Sequence, residues 1–193
     1  AELRSIGLKP QVIITDLLGG YHDAVRTIFP NCQHMECLFH AERAARKAIR
    51  DSCGEEHKSK ELIERMRQVF KAKNQKALKS AWTQVLRYDG ITPQMIKSLK
   101  AYLPLIEKAI QTPKSPTTTN AVERVIGEFE RKYQGIQCFS SFHSMQSWCA
   151  LFQVYYRLRP YRRGHRSGRS PAQVMGYPVA NLTWIDYVLG GLP

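Results

Sequence analysis

Acidic residues are scarce in this chain. Sixteen Asp and Glu face 29 Lys and Arg, a formal net charge of +13 and a pI near 9.7. A deficit of that size makes a polyanion the leading partner, with a basic protein that has no such partner as the plain alternative. Long apolar runs are also missing. No window approaches eighteen consecutive apolar residues, which excludes a membrane-spanning helix. The opening residues Ala1-Glu2-Leu3-Arg4-Ser5 lack the apolar stretch of a secretory signal, so secretion is not expected. Cysteine is sparse, odd in number at five, and scattered; that argues against a disulfide framework and for a reducing compartment. There is no internal repeat and no low-complexity tract. What remains is ordinary globular composition, 43% hydrophobic and 23% charged, long enough to bury a core.

The periodicity changes character along the chain. Gln11 to Thr15 is a β-branched run between Pro10 and Gly19-Gly20 and reads as a buried strand. Tyr21 to Ile28 is helical and stops at Phe29-Pro30, and Asn31 to Met35 is a second, more polar strand. Strand, helix, strand predicts a βαβ unit with parallel strands. From there helices dominate: Cys37 to Asp51, Lys58 to Lys73, Gln75 to Leu86, and one opened by Thr92-Pro93. Residues 112–119 read as a loop, followed by helices from Asn120 to about Tyr133 and from Ser141 to Arg157. A basic strip covers Arg159 to Arg169, Ser170-Pro171-Ala172 opens a short helix, and an apolar patch lies around Trp184 to Leu189. Ala1-Glu2-Leu3 suits the end of a helix leading into the first strand. Two parallel strands make a poor sheet alone, so either further strands hide in apparent loops or the chain begins partway through its domain. Trp82 and Trp148 fall on apolar helical faces and are expected in the core rather than against bases.

Two carboxylates stand out by position. Asp16 ends the first strand, where ligand sites gather in open α/β sheets, and a carboxylate there suits a hard cation such as Mg²⁺. The alternative is a turn residue or helix cap. Glu123 falls in the first turn of the helix begun by Asn120; the alternative is a capping box with Asn120. Together they suggest a shared metal pair for phosphoryl transfer, in which one ion activates the attacking oxygen and the other steadies the leaving one. Cys32, His34, Cys37 and His40 lie close in sequence and make zinc conceivable, although their spacing fits no standard finger.

The stretch Val12-Ile-Ile-Thr-Asp16-Leu-Leu-Gly-Gly-Tyr21 through Phe29-Pro30, then Cys37-Leu-Phe-His40, resembles the second-acid region of DDE-type transposases, most closely the Mutator-like group and related bacterial insertion-sequence enzymes. Thr118-Thr119-Asn120-Ala121-Val122-Glu123-Arg124 resembles the same family's third-acid helix. The strip from Arg159-Pro160-Tyr161 to Ser170-Pro171-Ala172-Gln173-Val174-Met175-Gly176 looks like the C-terminal end of such catalytic domains. The resemblance implies an α/β chain, predominantly helical, with a partial RNase H-like (integrase core) sheet. It divides the chain into a catalytic core at 1–51 and 117–158, a helical insertion at 52–116 between the last strand and the Glu-bearing helix, and a basic extension at 159–193. It implies Mg²⁺- or Mn²⁺-dependent cleavage and strand transfer on transposon-end and target DNA by a homodimer or larger assembly. The location would be nucleoid-associated in a bacterial cytoplasm, or nuclear in a eukaryote. Asp16 becomes the second acid and Glu123 the third, with the first on an upstream strand, so that this chain corresponds to the C-terminal part of a catalytic domain and lacks one acid by itself. Cys37 and His40 become a Cys-x-x-His motif that braces the site, with His40 near the scissile phosphate; the plain alternative is a buried thiol beside a hydrogen-bonded histidine.

The cations read as DNA contacts: Arg43 and Arg46 with Lys47 and Arg50 along one helix; Arg124, Arg131 and Lys132 on the Glu123 helix; and Arg159, Arg162, Arg163 and Arg166 with Arg157, Arg169 and interleaved tyrosines. Solvated helix faces and a solvated linker are the alternatives. Two other functions remain open at this level, a non-catalytic DNA-binding or assembly fragment of a transposase and a small zinc-stabilised nucleic-acid-binding protein.

Overall fold

The computed structural model describes residues 7, 9–53, 56–113, 115–136, 138–179 and 183–190. The helix end expected at Ala1-Glu2-Leu3 lies outside them. The chain divides into two compact units, residues 1–120 and 121–193.

The first unit opens with β1 (Val12–Thr15), whose β-branched residues suit a pleated ladder. Helix α1 (Gly20–Ile28) follows and stops ahead of Pro30. Strand β2 (Gln33–Glu36) then pairs with β1 in parallel, Val12 opposite Gln33 and Thr15 opposite Glu36. The βαβ reading is correct in order and direction. The second strand sits nearer the C-terminus than Asn31–Met35, because Cys32 N–H closes a turn on the Phe29 carbonyl before pairing starts.

The rest of this unit is helical. Helix α2 (Leu38–Ser52) buries Ala41, Ala45 and Ile49, one stripe at four-residue spacing, and the alanines let neighbouring backbones approach closely. Helix α3 (Glu56–Phe70) contributes Leu62, Met66, Val69 and Phe70. Helix α4 (Gln75–Leu86) is capped by Asn74, whose side chain accepts the Ala77 N–H at 2.8 Å, and it buries Leu78 and Val85. Trp82 is half-buried against the same core. Thr92 caps α5 (Pro93–Lys100), with Pro93 at its start. The single helix expected from Thr92 onward is instead two. Pro104 has no N–H to offer the Lys100 carbonyl, so α5 ends there and α6 (Leu103–Gln111) starts anew with Pro104 in its first turn. Ile49, Leu62, Met66, Leu99 and Ile106 are the largest fully buried side chains, so the core lies among helices rather than on the sheet.

A histidine of β2 sits in a pocket beside α1. His34 Nε2 lies 2.8 Å from Thr15 Oγ1, and its ring meets His22 of α1 edge-on at 4.9 Å. A cavity of ≈160 Å³ beside them is lined by His22, His34, Glu36 and Lys108. Burial, reinforced by His22 and Lys108 and opposed by Glu36, pushes the His34 imidazole below its ordinary 6.5. A depressed folded value means that the fold favours neutral His34. Its contribution to stability is fully present above the ordinary value and is lost as pH falls through the folded one. The denaturant midpoint of the wild type should therefore fall more steeply than that of His34→Gln between about pH 8 and about pH 5. Parallel curves would count against this reading.

In the second unit, α7 (Asn120–Gln134) and α8 (Phe142–Leu158) share an aromatic cluster. Phe129 meets Trp148 edge-on at 4.8 Å and Phe152 at 5.2 Å, and Trp148 stacks on Phe152 at 5.7 Å. Trp148 is thus a packing residue, as its apolar face suggests. Ser141 forms a capping box with Ser144 at the start of α8. Two short helices follow, α9 (Pro171–Val174) capped by Ser170 and α10 (Trp184–Val188) capped by Thr183. Among the described residues no helix is long and apolar enough to cross a membrane.

Candidate active site

Asp16 immediately follows β1, half-buried, where the chain turns toward α1. One carboxylate oxygen accepts the Leu18 N–H at 3.2 Å, so the turn role is real. The other takes no hydrogen bond from the described residues. It remains available as a hard oxygen donor, the class that Mg²⁺ and Mn²⁺ favour. Glu123 lies exposed in the first turn of α7.

Between β2 and α2 sits Cys37, fully buried. Its N–H extends the parallel ladder by donating to the Thr15 carbonyl at 2.8 Å, next to Asp16. Its Sγ accepts the Thr119 N–H at 3.3 Å and the Thr119 hydroxyl at 3.4 Å. The adjoining Leu38 N–H donates to the Thr117 carbonyl at 2.9 Å. One residue therefore joins the strand end that carries Asp16 to the segment that runs directly into α7. His40 stands half-buried one turn along α2, close enough to influence the thiol. Burial alone would push the Cys37 thiol up, but the hydrogen bonds from Thr119 and the influence of His40 outweigh it and hold the thiol below its ordinary value. The sequence singles out Cys37 and His40 but not Thr119 or Thr15. Thr119's place just before the N-terminus of a Glu-bearing helix is the signal that could have found it.

Zinc binding by Cys32, His34, Cys37 and His40 does not hold. Among the described residues no three His, Cys, Asp or Glu lie close enough to hold a metal ion. Alternation along β2 separates its side chains, His34 bonds Thr15, and the Cys37 sulfur accepts two hydrogen bonds from Thr119.

The cations divide into engaged and exposed groups. Arg46 pairs with Glu42, which also faces Arg67 at 3.8 Å, while Arg43, Lys47 and Arg50 stay exposed on α2. On α7, Arg124 and Lys132 are exposed, Lys132 lies over the Tyr155 ring at 5.2 Å, and Arg131 reaches Glu128 at 2.9 Å. Arg159 is the most tied down. It bonds Glu128 at 2.8 Å and the Tyr155 hydroxyl, and lies over the Tyr155 ring at 4.9 Å. Burial would raise the Glu128 carboxyl, but Arg131 and Arg159 hold it below the usual carboxylate range. Glu128, unremarked in the sequence, thus organises the base of the C-terminal strip. Arg162, Arg163 and Arg166 remain exposed.

A family model described as transposase, Mutator family, matches residues 1–153. The chain belongs to the Mutator family of transposases. No curated protein matches it. The matched segment takes in Asp16, Cys37, His40, Thr119 and Glu123, and it ends within α8, ahead of the cationic strip. Membership ties this Mutator-family chain to DNA transposition, with DNA as substrate and a parent enzyme of the kind that cuts and transfers DNA.

Proposed function

We propose that this chain forms part of an RNase H-like DDE catalytic domain and supplies its second and third acids, Asp16 and Glu123, for Mg²⁺- or Mn²⁺-dependent cleavage and strand transfer. The observation that carries this reading is the Cys37 junction. Thr15, next to Asp16, and Thr119, next to the first residue of the Glu123 helix, both hydrogen-bond to Cys37. Family membership supports the chemistry class.

In this reading residues 1–51 and 117–158 make the catalytic core, 52–116 a helical insertion and 159–193 a basic extension. Asp16 keeps one oxygen on the Leu18 N–H and presents the other to a cation. Glu123 presents its carboxylate from the first turn of α7. The bound divalent ions would lower the charge barrier to attack on the phosphodiester and neutralise carboxylates that otherwise repel. A water oxygen would bond to phosphorus as the bond to the 3′-oxygen breaks. The 3′-hydroxyl so released would then attack a target phosphodiester, losing its proton as its oxygen bonds to phosphorus while the target's own bond from phosphorus to its 3′-oxygen breaks and that oxygen takes up a proton. His40, one turn from Cys37, would face the scissile phosphate. Exposed Arg43 and Arg124 would hold backbone phosphates, fixing register without reading sequence. Assembly would be as a dimer or larger complex on paired ends.

The test is strand transfer on end-sequence DNA by the full-length protein carrying Asp16→Asn or Glu123→Gln. Activity that survives in either variant removes that acid from the assignment.

A further inference from the structure

Past α8 the chain forms a closed loop. The Tyr161 N–H donates to the Arg169 carbonyl at 2.9 Å, and the Gly168 N–H returns to the Tyr161 carbonyl at 2.9 Å. Inside it, Ser167 N–H bonds the Gly164 carbonyl at 3.0 Å and Arg169 N–H bonds the Arg166 carbonyl at 3.1 Å. Gly164 and Gly168 take φ of +85° and +80°, a conformation that side-chain-bearing residues rarely adopt, so the turns depend on glycine there. Residues 162–169 are all exposed and include no apolar side chain.

The charge on this loop is unbalanced. No Asp or Glu occurs between Glu130 and Asp186. Glu128 is occupied by Arg131 and Arg159, and Asp186 by the Thr183 cap. Arg162, Arg163 and Arg166 form no ion pair among the described residues. Backbone hydrogen bonds thus gather several arginines into one short closed loop with no acid to balance them, and a polyanion would supply the missing charge. The backbone is already closed, so little ordering entropy would be lost on contact. An anionic lipid surface would offer charge too, but residues 162–169 carry no apolar side chain to insert into it, and Tyr161 at the loop's base is half-buried.

We propose that residues 161–169 are a preformed clamp for the sugar–phosphate backbone of DNA, binding through Arg162, Arg163 and Arg166 by charge and fork geometry rather than by sequence. The proposal takes DNA as the partner from the functional reading above, but it needs neither acid nor any metal. The clamp also lies beyond residues 1–153, the segment that the family model matches.

The experiment is binding of the full chain to labelled duplex DNA, followed by fluorescence anisotropy without divalent cations, between about 50 and about 200 mM salt. Each phosphate contact contributes about 0.9 to the log–log salt slope, so Arg162→Ala/Arg163→Ala/Arg166→Ala should flatten it by about 2.7. The affinity advantage of the wild type should then narrow about 40-fold across that range. The corresponding triple Lys variant should keep the slope. So should Lys73→Ala/Lys76→Ala/Lys79→Ala, which removes equal charge from exposed positions around α4. An unchanged slope in the triple Ala variant, or equal flattening in the α4 variant, would overturn the clamp. Loss of binding to anionic phospholipid vesicles with DNA binding intact would overturn it in favour of a membrane surface. Because no divalent ion is present, the result is independent of whether Asp16 and Glu123 hold one.

Discussion

Asp16→Asn and Glu123→Gln should each lower strand transfer by the full-length protein about 10³-fold or more, with duplex DNA binding in metal-free buffer nearly unchanged. Both substitutions keep shape and remove the charge that would hold a divalent ion. Losing one ligand from a two-metal site removes several kcal/mol of transition-state stabilisation, and each 1.36 kcal/mol is about tenfold in rate. Neither change should unfold the protein. Asp16 is only half-buried and Asn can still accept the Leu18 N–H, while Glu123 is exposed. Transfer and binding falling together would point to a packing role instead. The double variant should lose little more than either single one, because residues that act as a unit are not additive.

The second large effect is expected at Cys37. Cys37→Ala removes the acceptor used by the Thr119 N–H and hydroxyl and leaves a small void in a fully buried place. A stability loss of about 2 kcal/mol follows from the hydrogen bonds and the void together. If the junction orients the approach to α7, strand transfer should also fall about 10- to 100-fold, the scale seen when groups behind metal ligands are removed. Thr119 separates orientation from stability. Thr119→Val keeps the volume and deletes only the hydroxyl, so it should cost about 1 kcal/mol or less yet still slow transfer, while Thr119→Ser should restore it. Amide exchange should rise in Thr119→Val at residues 117–120 but not in the α2–α3 core. Faster exchange throughout, with transfer tracking global stability, would make Cys37 an ordinary core residue.

Much of the fold is legible in the residues because local chemistry dictates it. Val12-Ile13-Ile14-Thr15 has little choice but a strand, Asn74 and Thr92 are strong caps, and the apolar stripe of α3 is regular. The split at Pro104 was equally encoded but competes with a continuous apolar pattern that suggests one helix. The site is only half legible. Asp16, Cys37, His40 and Glu123 can be singled out by position and motif. That Cys37 bonds both Thr15 and Thr119 cannot, because those contacts span a long helical segment and depend on how it packs. Charge misleads in a similar way. Arg159 and Arg162 look alike in the sequence, yet Glu128, many residues away, neutralises the first and leaves the second exposed.

The central claim is that Asp16 and Glu123 serve the same divalent ions, and paramagnetic broadening by Mn²⁺ in the amide spectrum of this chain tests it most directly. Signals around Asp16 and around Glu123 should broaden together over one Mn²⁺ titration, and Asp16→Asn should weaken the effect at Glu123. Broadening at one acid that leaves the other sharp, or an effect at Glu123 indifferent to Asp16→Asn, would contradict the account.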